Sequence, residues 1–122
     1  MEELKINMKK PISPALHGII DYAFSGLQMT LPTLLKLAAN SRKLYAVLGS
    51  GFLATNTLTN TPVGLAPVIS FKEHQKADAV FLAALSLLPL TPMIGKDRKS
   101  LIFHIGFFAL AVSHYLLTDY EA

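Results

Sequence analysis

The chain has no cysteine. That excludes disulfides and thiolate metal sites, and leaves the redox compartment unreadable. Charge is scarce: 16% of the 122 residues are charged, against about 25% in soluble domains. It is missing altogether from residues 22–35, 44–71, 79–95 and 100–118. The net charge of +3 comes from short knots, not from a basic stripe, so nucleic acid is not an expected partner. Phosphate loops, dinucleotide fingerprints and nucleophile elbows are also lacking, which leaves little support for a soluble enzyme.

What remains is apolar, with hydrophobic residues at 52%. A soluble amphipathic helix carries charge on its wet face along its whole length. Here four uncharged stretches alternate with Lys9-Lys10, Arg42-Lys43, Lys72 with Lys76, and Lys96 with Arg98-Lys99. The pattern predicts an all-α, four-helix transmembrane bundle, near the short end of the roughly 20 residues a span needs. The alternative is a soluble bundle with a greasy interior. The helices are expected at about Pro14–Lys36, Ser41–Leu58, Ser70–Leu90 and Lys99–Leu117. Ser13-Pro14 suits a helix start, Ser70 with Glu73 forms a capping box, and Pro32, Pro89 and Pro92 should kink or end helices. The opening MEELKINMKK has two acids and no apolar core, so no cleavable signal is expected. The lipid bilayer is the expected partner, and four short helices enclose so little volume that a homodimer fits. Lys5, Lys9, Lys10, Lys72 and Lys76 flank one side and Lys36, Arg42, Lys43, Lys96, Arg98 and Lys99 the other, too even a split to orient the chain.

The sequence also repeats. Moving residues 9–65 onto 66–122 matches Ile12-Ser13 with Ile69-Ser70, His17 with His74, Asp21 with Asp78, Phe24 with Phe81, and Leu31-Pro32 with Leu88-Pro89. Farther along, Leu44, Gly49, Leu53-Ala54 and Thr61 match Leu101, Gly106, Leu110-Ala111 and Thr118. This predicts two tandem helical hairpins, units 9–65 and 66–122 of one membrane domain. Two crossings per unit put the ends of the second and fourth helices at the same face as the starts of the first and third.

The matched His and Asp stand four residues apart, on one helical face. Lipid offers such groups no partner, so they should turn inward. His17, Asp21, His74 and Asp78 then meet at one depth, joined by His114 from the last helix, with Asn56 and Thr57 beside them. Imidazole and carboxylate together suit a divalent transition metal. The same pairs could relay protons. Haem fits less well beside carboxylates. A clasp, in which the pairs only bond one another and hold the hairpins together as a non-catalytic scaffold or assembly subunit, needs no ligand. His104 lies outside the repeat and reads as a hydrogen-bonded core residue. Small residues, Gly49 and Gly106 among them, read as close helix packing, Tyr22, Tyr45, Tyr115 and Tyr120 as interfacial, and Phe107-Phe108 as lipid-facing.

Leu90-Thr91-Pro92-Met93-Ile94-Gly95, at the end of the first helix of a hairpin, resembles the break of the SPW-repeat family of small bacterial membrane proteins. Met93 stands where that family has Trp, and the first unit has only Leu31-Pro32-Thr33. The resemblance implies a bacterial membrane protein, presumed of the inner membrane, built from hairpin units. It implies no chemistry.

Overall fold

A computed structural model describes residues 9–122. The expectations for the first eight residues, Lys5 and the missing signal among them, lie outside it. The described residues are all-helical and contain no strand. The helices are α1 (Pro14–Leu34), α2 (Ala39–Thr57), α3 (Phe71–Leu87), α4 (Pro92–Gly95) and α5 (Arg98–Leu117). A 3₁₀ turn, Leu88–Leu90, extends α3.

Local chemistry accounts for the boundaries. Ser13 caps α1 by accepting from the Leu16 N–H at 3.2 Å, with Pro14 at the first helical position. Ser70 and Glu73 close both halves of the expected capping box on α3. Pro32 does not break α1 but sits buried in its last turn. The helix stops two residues later, and Lys36 turns the chain at φ 56°. Near Pro89 and Pro92, where the sequence predicted that the helix ends at about Leu90, α3 passes into the 3₁₀ turn, and a further short helix, α4, follows. Asp97 caps α5 through the Ser100 N–H at 3.2 Å and also accepts from the Ala38 N–H at 3.3 Å, tying the starts of α2 and α5 together. The Ser100 hydroxyl, followed by these backbone donors, holds the Asp97 carboxyl below the usual range.

The helices form one bundle, with α1 along α2 and α3 against α5. At one end, two short parallel bridges clip it shut: Ile12 with Thr118 and Thr59 with Ile69. Their bonds correspond. Ile12 N donates to Leu117 O (3.1 Å) and Asp119 N to Ile12 O (2.8 Å); Ile69 N donates to Leu58 O (2.9 Å) and Asn60 N to Ile69 O (2.8 Å). The starts of α1 and α3 therefore lie beside the ends of α5 and α2.

Burial is inverted relative to a water-soluble domain. The interior holds His17, Asp21, Ser25, Gln28, Ser41, Asn56, His74, Asp78 and His104, while Leu16, Ile19, Val47, Val80, Ile102, Ile105 and Leu110 are exposed. A small apolar cluster around Tyr45, Leu85, Ile94, Phe107 and Ala111 fills the middle. Three expectations change here, one of them Tyr120, which is buried and bonds Asp78 where an interfacial place was expected. Tyr45 is fully buried, not interfacial, and Phe107 turns into the core, not to lipid. Both follow from facing: Tyr45 bonds His104, and Phe107 packs edge-on to Phe24.

Among the described residues, one helix, α5, is long and apolar enough to cross a membrane on its own. The expectation of four such helices is met only in part. α2 and α3 carry charged residues within the helix, Arg42 and Lys43 in one and Lys72, Glu73, Lys76 and Asp78 in the other, and α3 is 17 residues long before its 3₁₀ extension.

Candidate metal centre

The clipped end of the bundle holds the polar cluster. His17 and Asp21 lie one turn apart on α1, and His74 and Asp78 one turn apart on α3. All four are buried, and one ligand atom from each lies within 4.8 Å of the others. His17 Nε2 is 3.3 Å from His74 Nε2, 3.2 Å from Asp21 Oδ2 and 3.1 Å from Asp78 Oδ2. His74 Nε2 is 2.9 Å from Asp21 Oδ2 and 3.3 Å from Asp78 Oδ1.

The far side of each ring fixes its tautomer. Thr118 Oγ1 donates to His114 O at 2.6 Å, so it can only accept from His17 Nδ1–H, at 2.7 Å. Thr59 Oγ1 donates to Thr55 O at 2.6 Å and accepts from His74 Nδ1–H, also at 2.7 Å. Both imidazoles therefore carry a proton on Nδ1 and turn Nε2 inward. In the neutral rings those Nε2 atoms are lone pairs. Two lone pairs and two carboxylates then face one another in a buried space, an arrangement that needs positive charge at its centre. One dication supplies it, or protons on the Nε2 atoms do.

In a tetrahedral site with bonds of about 2.0–2.1 Å, neighbouring ligand atoms stand roughly 3.3–3.4 Å apart. The cluster's spacings of 2.9–3.3 Å are at or just below that edge, and also fall in the range of hydrogen bonds.

Outer partners hold the carboxylates. His114 Nε2 donates to Asp21 Oδ1 at 2.9 Å, and its ring stacks on His17 at 3.9 Å between centroids. Tyr120 Oη donates to Asp78 Oδ2 at 2.8 Å; burial, with the Asp78 carboxylate beside it, pushes its hydroxyl above the usual range. Such partners orient metal ligands and raise their basicity. A cavity of about 20 Å³, walled by Asp21, Asp78, His114 and the rings of Phe24, Phe52 and Phe81, has room for one water.

The expected residues sort themselves. His17, Asp21, His74 and Asp78 converge, and His114 joins through Asp21. Asn56 instead donates from Nδ2 to Gly18 O at 2.8 Å, bracing α2 against α1. Thr57 turns its hydroxyl to Ala54 O within its own helix. His104 is the hydrogen-bonded core residue expected, between the Tyr45 hydroxyl and Leu85 O. The sequence reading did not assign Thr59, Thr118 and Tyr120 to the site. A signal for the threonines existed: Thr59 precedes Thr118 by 59 residues, as Ser41 precedes Ser100, so a two-residue gap before the second helix of each unit would have paired them.

Comparison with known proteins gives no match to a family model, a curated protein or a solved structure. The SPW-like plan rests on the residues quoted for it.

Proposed function

We propose that this chain is a membrane-embedded helical bundle that binds one divalent transition metal ion between two hairpins. His17, Asp21, His74 and Asp78 are its ligands, and His114, Tyr120, Thr59 and Thr118 hold those ligands in place. Zinc suits the donor set and the tetrahedral spacing. The observation that carries the reading is the pair of inward Nε2 atoms, 3.3 Å apart, whose outer nitrogens are each committed to a threonine that can only accept.

Membrane embedding draws on the inverted burial. Large apolar side chains cover the outside, and the exposed cations Arg42, Lys43, Lys72, Lys76, Arg98 and Lys99 lie in the first two turns of their helices. Monomeric soluble proteins rarely expose apolar surface on this scale, whereas polar residues in membrane bundles face the interior. The shared bridge pattern and the paired His–Asp turns support a duplicated hairpin as the origin of the centre.

Metal analysis of detergent-purified protein is the deciding experiment. One equivalent of metal, lost in a His17→Ala/His74→Ala variant that stays folded, is the expected result. A melting temperature that ignores zinc and chelator would favour the clasp, the second reading; the 2.9 Å contact of His74 with Asp21, shorter than a tetrahedral edge, is the observation on its side. Embedding is tested separately. The protein should resist carbonate extraction, and cysteines at Asn40→Cys and Lys96→Cys should label from one side of the membrane, those at Lys10→Cys and Pro67→Cys from the other.

A further inference from the structure

The end of the bundle opposite the His/Asp centre carries a groove of about 430 Å³ between the α1–α2 turn and the start of α5, lined by Leu35, Leu37, Lys99, Ile102 and Phe103. Its floor is fixed by packing. Leu37 is buried at 3% exposure, and Phe103 packs edge-on against Tyr45 of the apolar cluster. Asp97 ties the two sides together, since its Oδ2 caps α5 through the Ser100 N–H and also accepts from the Ala38 N–H. The outer walls are open: Ile102 is 60% and Leu35 48% exposed. Four of the lining residues are apolar, and the remaining one, Lys99, is a cation.

The two ends of the bundle differ in charge balance. Around the groove lie Lys36, Arg42, Lys43, Lys96, Arg98 and Lys99, all exposed, and among the described residues Asp97 is the one acid at that end. Its Oδ2 already accepts from three donors, the Ala38 N–H and the N–H and hydroxyl of Ser100. At the clipped end the described cations Lys9, Lys10, Lys72 and Lys76 stand among Glu73, Asp119 and Glu121, and Lys72 pairs with Glu121. The groove end therefore has an excess of positive charge, and the clipped end has almost none. A lysine beside an apolar wall lays its stem along the wall and keeps its ammonium at the wet edge. A fitting occupant offers an apolar tail to the groove and an anion to its rim. In a membrane-embedded chain the first turns of α2 and α5 lie at headgroup level, where the molecules with that chemistry are anionic phospholipids.

We propose that this groove binds one anionic phospholipid, with an acyl chain against Leu35, Leu37, Ile102 and Phe103 and the phosphate at Lys99. Zwitterionic lipids offer the same tails, but their phosphate is already balanced by their own amine, so the surrounding cations select a lipid of net negative charge. The site stands at the other end of the bundle from the His/Asp centre. This inference rests on the membrane-embedded reading above and is independent of the metal.

The test uses the full chain in a mild detergent, titrated with phosphatidylglycerol or with phosphatidylcholine of the same acyl chains, while native mass spectrometry counts bound lipid. Phosphatidylglycerol should fill one site at least about tenfold more tightly than phosphatidylcholine, as two or more cations acting on one headgroup would give. Lys99→Gln should weaken that binding about fivefold, the worth of one cation at an anionic headgroup. Lys76→Gln, the same loss of charge at the clipped end, should leave it unchanged. Ile102→Trp should fill the groove and remove the tight site, with the lipid-free melting temperature as in the wild type, since Ile102 faces outward. Millimolar inorganic phosphate should not displace the lipid. Equal binding of the two lipids overturns the proposal. So does equal weakening by Lys99→Gln and Lys76→Gln, which would mean diffuse charge attraction, or a tight site that survives Ile102→Trp. Displacement by phosphate would assign the cations to a free anion and also overturn it. Each of these outcomes leaves the embedding reading standing. Protein that stays in solution without detergent overturns that reading and the lipid site with it.

Discussion

The two halves of the bundle share their chemistry at one end and diverge below it. Around the centre they correspond: His17 and His74, Asp21 and Asp78, Thr118 and Thr59, each histidine set beside an Ile–Thr bridge. One and two turns farther along, α1 carries Ser25 and Gln28, while α3 carries Leu82 and Leu85. The second helices differ as well. Gly49 brings α2 close to α1, where a Cβ would meet Met29 Cγ at 2.8 Å and Ser25 O at 3.1 Å; Gly106 of α5 has nothing within 4 Å. The lesson is a division of labour. Both halves bring a His–Asp turn to the cluster, while one and two turns farther along only α1 keeps polar side chains on its buried face.

The sharpest test of the shared part is symmetry of loss. Asp21→Asn and Asp78→Asn should each weaken metal binding by more than about 100-fold, since removing an anionic ligand should cost more than the 10–100-fold of losing an outer partner. Calorimetric titration with zinc checks this. A large loss from one and none from the other would break the equivalence; tolerance of both would favour the clasp, because an amide keeps the hydrogen bonds and removes a buried charge. Next in size, Thr59→Val and Thr118→Val should each lower affinity by about 10–100-fold, through freeing the imidazole tautomer. The same titration applies, and a Val variant with unchanged affinity would show that the threonines do not orient the rings.

The divergent part is tested by packing. Gly49→Ala should destabilise by about 1–3 kcal/mol, because the added methyl overlaps Met29 and the α1 backbone. Gly106→Ala meets open space and should be neutral, or stabilising by up to about 1 kcal/mol from helix propensity. Thermal melts in one detergent compare the two, and equal effects would deny the tighter α1–α2 contact. Gln28→Leu should raise stability by about 1–3 kcal/mol, since it removes an amide with no protein partner. A fall would mean that the amide is well satisfied in the folded protein.

Part of this was legible in the chain. The all-helical class, the helix starts at Ser13-Pro14 and Ser70–Glu73, and the convergence of two His–Asp turns follow from spacing and capping chemistry, which are local. His17 and Asp21 share a face because the helical period puts them there, whatever surrounds them. The ungapped offset of 57 sets α1 against α3 but shifts α2 against α5 by two residues, so it does not bring together Thr59 and Thr118, the threonines that contact the histidines. The starts of α2 and α5, at Ala39 and Arg98, stand 59 residues apart, two more than the offset of 57 that aligns α1 with α3.

The sequence by itself determined the main helices, the caps at Ser13 and Ser70, and the shared face of each His–Asp pair, because each depends on neighbours within about one turn. Only the tertiary structure decided that Thr118 reaches His17 and Thr59 reaches His74, that Tyr120 serves Asp78, and that Tyr45 finds His104 in the core. Those contacts join residues distant in the chain, and their geometry is set by how the bridges clip one hairpin to the other. No local period encodes that.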